Sequence, residues 1–371
     1  LSAPEEFEIF LATAPGLEDT LREEVGGKGF RRARSVPGGV TILGGWPEVW
    51  RANLWIRGAG RVLARIATFR ATHLAELDQR ARRVAWSRVL RADIRFHVEA
   101  ACASSRIWHS GAAAERIETA IRATLGAEPA PDAEVVVRLR IERDICTISV
   151  DTSGEALHRR GFKQQVNAAP MRETLASLLL RQCGYAGTEP VLDPMCGSGT
   201  FVIEAAEIAA RLNPGRARRF AFEQLAPFDA EAWQRMRAVR SARTPQFSCH
   251  GSDRDAGAIA MSRANAARAG VEAFTRFDRA AIEEIAPPDG PPGLVIVNPP
   301  YGARIGERER LPALHRALGG VLRARFRGWR VGLVTSQPAL ARATGLPFLP
   351  PGAPVPHGGL RVTLFRTAAL P

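Results

Sequence analysis

The sequence predicts a doubly wound α/β domain filling the second half of the chain, preceded by smaller α+β units. Three observations carry that reading. Beyond residue 172, short apolar strands alternate with helical patterns. Several of those strands end in a glycine turn or an acidic residue. The first 150 residues instead give short strands interspersed with amphipathic helices. The spans expected are 1–66 and 67–155 for two α+β units and 156–371 for the α/β domain.

Taken in order, Phe7–Leu11 alternates as a strand, and Pro15-Gly16 leads into a helix at Leu17–Glu24. Val36-Pro37-Gly38-Gly39-Val40 is a turn feeding another strand, and residues 47–65 read as helical before turning strand-like toward Thr68. The pattern then restarts: a strand at Ile94–Ala100, a helix at Ala112–Leu125, and two strands, Val135–Ile141 and Ile145–Asp151, folded into a hairpin around Arg143-Asp144. Residues 152–172 carry glycine, proline and mixed charge and suit a linker. The α/β alternation follows: helix 173–183, strand 190–193, helix 200–211, strand 247–252, helix 255–269, strands 273–277 and 293–297, helix 311–326, and strands 330–335 and 360–365. Residues 213–246 interrupt it with a strongly basic insertion. Apolar strands without alternation suit a parallel sheet covered on both faces.

Composition narrows the function. At 371 residues and 46% hydrophobic content the chain can build two or three cores. No stretch approaches the roughly 18 apolar residues of a membrane span, and Glu5, Glu6 and Glu8 do not suit a signal peptide. The five cysteines are scattered without a CxxC pair, which argues against a disulfide framework or a metal site and fits a reducing cytoplasm. A net charge of +13 favours a polyanionic partner, RNA or DNA. Arg80, Arg82, Arg83, Arg88 and Arg91 form a run that reads as a polyanion-contacting surface or as a solvated helix face; His158, followed directly by Arg159 and Arg160, is a further candidate for meeting RNA.

Two motifs carry the chemistry. Val191–Thr200 is a strand running into a glycine turn and then a helix. It lacks the Gly-Lys-Ser/Thr of a phosphate loop and the spacing of a dinucleotide fingerprint. Asp193 and the loop carbonyls suit a cationic ligand such as S-adenosylmethionine instead. The next strand ends at Asp253, followed by Arg254 and a helix, and offers two carboxylate oxygens to ribose hydroxyls. The third leads to Asp278, an acceptor for an adenine amino group. The fourth delivers Asn298-Pro299-Pro300-Tyr301. Here the Asn298 side-chain oxygen and the Pro299 carbonyl can take both N–H bonds of an exocyclic base amine, while Tyr301 stacks on the ring. Cys196 lies in the cofactor turn, away from the base loop, so thiolate catalysis is not expected.

With these residues in view, the chain resembles the THUMP-domain class I RNA methyltransferases, and is especially similar to the bacterial 23S rRNA guanine-N2 group. The resemblance runs through Phe7–Glu18, Asp151–Gly161, Ala169–Ala176, Leu192–Ala205, Gly251–Asp255 and Asn298–Gly302. It implies a ferredoxin-like domain, a THUMP domain that engages RNA, and a Rossmann-like methyltransferase domain. It places the methionine-binding loop on Asp193, Pro194, Met195, Cys196, Gly197, Ser198, Gly199 and Thr200, with Glu204 a further member. The ribose acid falls on Asp253, the adenine contact on Asp278 and the catalytic tetrad on Asn298, Pro299, Pro300 and Tyr301; Pro170 and Thr174 lie against the cofactor. The resemblance does not extend to the second methyltransferase domain of some relatives. Related members act on tRNA guanine, which keeps tRNA open as substrate. The competing readings are a DNA adenine-N6 methyltransferase and a non-catalytic RNA-binding assembly factor.

Overall fold

The computed structural model describes residues 6–163, 171–239, 241–300 and 311–371, which pack as two compact units. The first comprises the described residues of 1–13, 22–157 and 218–240; the second takes the rest.

The first unit contains strands β1 (Phe7–Ala12), β2 (Arg34–Val36) and β3 (Gly39–Gly44), helix α2 (Trp46–Trp55) and strand β4 (Arg61–Arg70); of α1 (Glu18–Gly27), which lies between β1 and β2 in the chain, it takes the part from Arg22 onward. It continues through α3 (Leu74–Ala81), β5 (Arg95–Ala103), α4 (Ser110–Leu125), β6 (Glu128–Pro129), β7 (Val135–Glu142) and β8 (Ile145–Asp151). All eight strands join one sheet in the order β2-β3-β1-β4-β8-β7-β5-β6. The boundary expected at residue 66 therefore falls inside β4, which pairs with β1 through Arg61–Ala64 and with β8 through Leu63–Arg70. The helix expected across 47–65 ends at Trp55, and residues 61–65 are strand instead. Val62 and Ala64 are wholly buried while Arg61, Leu63 and Arg65 are not, a period of two that only a strand can satisfy.

The expected linker begins as core. Asp151, Thr152 and Ser153 are fully buried. Asn53 Nδ2 donates to Thr152 Oγ1 at 2.9 Å, Ser153 Oγ donates to Asn53 Oδ1 at 2.8 Å, and Asp151 takes ion pairs from Arg61 and Arg138 at 2.7 and 3.1 Å. Residues 218–239 of the basic insertion also join this unit. Its helix α7 (Ala230–Ala238) brings Trp233 edge-on to Phe222 at 5.0 Å, and Phe222 stacks near Trp50 of α2 at 6.1 Å. Aromatic burial outweighs the surrounding arginines in deciding where this segment belongs.

The second unit contains α5 (Glu173–Gln182), β9 (Val191–Asp193), α6 (Thr200–Ala209), β10 (Cys249–Asp253), α8 (Ala256–Ala269) and β11 (Thr275–Arg279). It ends with β12 (Leu294–Val297), α9 (Leu311–Arg325), β13 (Arg330–Thr335), α10 (Pro338–Ala343), β14 (Val355–His357) and β15 (Leu360–Arg366). The sheet order is β11-β10-β9-β12-β13-β15-β14, parallel through β13 and antiparallel at β15 and β14. All four residues of β12 are wholly buried, which explains the unbroken apolar run. Leu192, Val295, Val297, Leu318, Phe326 and Leu333 belong to its main core. Strand order reverses between β9 and β12, and open α/β sheets bind ligands at the carboxyl ends of such strands.

Candidate active site

The reversal point holds the two motifs side by side. Leu294 pairs with Val191 and Val295 with Leu192, so Ile296 comes level with Asp193. Asn298 stands one residue beyond β12 and Asp193 is the last residue of β9, so both lie at the carboxyl ends of neighbouring parallel strands. On the other flank Gly251 of β10 is level with Asp193. A Cβ at Gly251 would stand 2.8 Å from the Phe277 ring and 3.0 Å from Cys196 Cβ, so only glycine keeps this approach open.

Asp193 is the electrostatic centre. It is 3% exposed and accepts one hydrogen bond, from the Met195 N–H at 3.1 Å. Burial, with a smaller push from Asp253, raises its carboxyl to about 8. A buried carboxylate that takes one neutral donor among the described residues can receive a cation, and its chemistry fits the ammonium of S-adenosylmethionine. Asp253 Oδ2 accepts the Gly197 N–H at 3.1 Å and Oδ1 the Asp255 N–H at 3.0 Å, leaving each oxygen a further lone pair for a hydroxyl. Asp255 caps α8 through Gly257 N–H at 2.8 Å, a structural duty.

The glycine turn is held from behind. Gly199, at φ +82°, ends it as the cap of α6. Ser262 Oγ donates to the Gly197 carbonyl at 2.8 Å and Asn265 Nδ2 to the Ser198 carbonyl at 3.0 Å, both from α8. Lys163 Nζ reaches Thr200 Oγ1 and the Met171 carbonyl, each at 2.8 Å, with Glu173 at 3.6 Å. Ser262, Asn265 and Lys163 escaped sequence reasoning. The available signals were two polar residues three apart on an alanine-rich helix and one of only two lysines in the chain.

Other site residues fall as follows. Pro194, Ser198 and Thr174 are buried, Met195 is half-buried, and Arg254 is exposed. Cys196 is buried with its Sγ 3.8 Å from Ser262 Oγ, and its thiol is pushed well above the ordinary range by burial, which removes the thiolate that covalent catalysis would need. Asp278 is exposed and level with Ser252, on the opposite pleat face from Asp253; no described contact joins it to the cluster. Asn298 is half-buried, Pro299 buried and Pro300 exposed, while Tyr301 and Pro170 lie outside the described residues.

One reading is corrected. Arg160 is 3% exposed and its Nε meets Glu204 Oε1 at 2.6 Å, so it is withdrawn from any RNA-contacting surface. Glu204, 1% exposed, spends that oxygen on Arg160, an ion pair inside the fold. Arg160→Ala takes an ion-pair partner from a buried carboxylate and is expected to cost about 3–5 kcal/mol, lowering Tm by about 10 °C. Thermal denaturation checks this, and an unchanged Tm would show that the pair contributes nothing. Arg80, Arg82, Arg83, Arg88, Arg91 and Arg159 are exposed, although Arg82 pairs with Asp78 and Arg91 with Asp93. His158 is half-buried, and burial together with Arg172 and Arg159 lowers it to about 4, so it is neutral at pH 7. Among the described residues no cluster of three or more His, Cys, Asp or Glu could hold a metal ion, and no helix is long and apolar enough to cross a membrane.

The reversed parallel sheet, the acidic strand end, the glycine turn and the Asn-Pro-Pro loop together define a Rossmann-like methyltransferase domain, a class whose methyl donor is S-adenosylmethionine. Comparison with known families agrees: residues 160–347 match the RMKL-like methyltransferase domain and residues 8–63 the RlmL ferredoxin-like domain. The chain belongs to the RMKL-like methyltransferase family. It is 37% identical over 358 residues to the ribosomal RNA large subunit methyltransferase K/L of Syntrophotalea carbinolica, covering 91% of this chain and 50% of the relative. The chain thus spans about half the length of that protein. A provisionally named RNA methyltransferase of Synechocystis sp. is 31% identical over 371 residues, covering 96% of this chain and 95% of the relative. A crystal structure from Clostridium difficile 630, provisionally described as a methylase, superposes with a TM-score of 0.89 at 27% identity over 99% of each chain.

Proposed function

We propose that this chain transfers the methyl group of S-adenosylmethionine to the exocyclic N2 of a guanosine in RNA, with 23S rRNA as the substrate. The observation that supports the reading is that β9 and β12 are neighbours at the strand-order reversal, with Asp193 ending one and Asn298 following the other. Similarity to the Syntrophotalea carbinolica protein supports the choice of RNA.

When bound, S-adenosylmethionine supplies an activated methyl group. Asp193 holds the cationic end of that ligand, and Asp253 takes the ribose hydroxyls. Asn298 Oδ1 and the Pro299 carbonyl accept the two N–H bonds of the guanine amine and turn its nitrogen lone pair toward the methyl carbon. Most of the rate enhancement is then orientation and electrostatics. No protein base is required, since the amine proton is acidic once its nitrogen is methylated. Residues 67–155 serve as a THUMP-type RNA-binding portion, and the reaction belongs to the cytoplasm.

The test is nucleoside mass spectrometry of rRNA, tRNA and DNA from a deletion strain, with and without the gene restored. Loss of one N2-methylguanosine from 23S rRNA is expected. Loss confined to tRNA would move the substrate, and a loss confined to DNA N6-methyladenine would overturn the reading.

A further inference from the structure

We propose that one edge of the first unit is a landing site for an unpaired RNA strand, with Trp108 as a stacking platform and Arg106 and Arg143 as phosphate contacts. This rests on RNA being the substrate, as proposed above, and adds where and in what form it is gripped.

Trp108 is 78% exposed, while the other six tryptophans are buried or half-buried. An indole in open water forgoes the large burial that aromatic side chains ordinarily supply. Its surroundings hold it there. Ile107, 4% exposed, anchors the chain on one side. On the other, His109 caps α4, its Nδ1 accepting the Ala112 N–H at 2.9 Å, and its ring stands edge-on to the indole at 5.7 Å. The indole is thus presented between two fixed neighbours.

The same loop is tied to the β7–β8 turn. The Arg106 N–H donates to Asp144 Oδ1 at 2.8 Å, the Asp144 N–H to Ser105 Oγ at 3.1 Å, and the Arg143 N–H to the Ala103 carbonyl at 3.4 Å. Arg143 at φ +50° and Asp144 at φ +62° make the turn left-handed at both central positions. Asn-Gly would meet that requirement with less strain. An arginine in that conformation points to a task beyond closing the hairpin.

Charge settles the kind of partner. Arg70 lies 3.8 Å from Asp144 and Arg140 pairs with Glu142 at 2.8 Å. The guanidiniums of Arg106 and Arg143 have no carboxylate partner among the described residues, and both residues are exposed. The N-terminus of the 16-residue α4 adds positive potential beside them. An aromatic face next to uncompensated guanidiniums suits a strand that offers both a free base and a phosphate. A duplex offers its phosphates but keeps its base faces stacked. The arginines from Arg80 to Arg91 lie after the first turns of α3, whereas this edge lies beside its start, where the Ala71 N–H meets the Asp144 carbonyl at 3.0 Å.

The experiment titrates a labelled single strand of about ten nucleotides, and its duplex, into the full chain and into Trp108→Ala, Trp108→Phe and Arg143→Ala. Methyl transfer to substrate RNA is measured in parallel. Trp108→Ala is expected to weaken single-strand binding about tenfold, with kcat at saturating RNA and cofactor affinity kept, and Trp108→Phe to recover most of the loss. Arg143→Ala is expected to reduce the salt slope by about one. The strand should also quench the red-edge tryptophan emission of the parent but not of Trp108→Phe. If the parent binds and methylates RNA while Trp108→Ala matches it throughout, this surface is wrong and the proposed function stands. If the parent neither binds nor methylates RNA, the functional reading falls and takes this one with it. A change in self-association alone, with RNA binding untouched, would give the indole to a protein contact and overturn the proposal.

Discussion

Asn298→Ala is expected to lower kcat for methyl transfer by about a thousandfold while leaving the Kd for S-adenosylmethionine within a few-fold of the parent's. The asymmetry follows from position. Asn298 lies one residue beyond β12, past the level of Asp193, where it can orient the incoming amine without holding the cationic end of the cofactor. Without its oxygen the amine keeps one acceptor, the Pro299 carbonyl, and rotates freely about it, so the near-attack geometry is sampled rarely. Asn298→Asp is a useful companion, because it keeps an acceptor and should retain more turnover than alanine. Single-turnover kinetics and calorimetry with cofactor check the two halves separately. Normal turnover in Asn298→Ala would remove this residue from the reaction altogether.

Asp193→Asn is expected to act with opposite signs on binding and on stability. It should weaken S-adenosylmethionine about a hundredfold, since a buried cation would lose its counter-charge. In the ligand-free protein the same change should raise Tm. The carboxyl of Asp193 sits near 8 in the folded protein because burial penalises its charged form, well above the ordinary carboxylate range that it regains on unfolding. Between roughly pH 4 and 8 the folded state therefore binds more protons than the unfolded one, and this group's contribution to stability falls as pH rises. Asparagine removes that slope, so the Tm difference between variant and parent should widen from pH 5 to pH 8. Cofactor affinity of the parent should climb over pH 6–8, as the carboxyl loses its proton to receive the cation, and level off above. A parallel pH dependence in parent and variant would mean that Asp193 does not carry this charge.

Much of the second unit was legible because its signals are local. The apolar run Leu294–Val297, the glycine turn after Asp193 and the Asp255 cap each depend on a few neighbouring residues. Strand 330–335 matches its expected bounds, and helices 173–183 and 311–326 end one residue early. Errors gathered where the deciding contact is distant in sequence. Arg160 reads as a surface cation beside Arg159; only Glu204, forty-four residues away, makes it an interior ion pair. Residues 152–153 read as linker until Asn53, about a hundred residues earlier, supplies their hydrogen bonds. The basic insertion reads as an interruption of the α/β alternation until Phe222 meets Trp50.

By itself the sequence determined the kinds of chemical group at the site and their order along the chain, because strand, turn and cap propensities act over a few residues. Tertiary structure alone decided that the strands ending before Asn298 and at Asp193 lie side by side, that Gly251 must lack a side chain and that α8 braces the glycine turn. Those are matters of register and packing between segments up to a hundred residues apart. No local pattern encodes a register, since the pairing of two strands is chosen by the whole core that they bury.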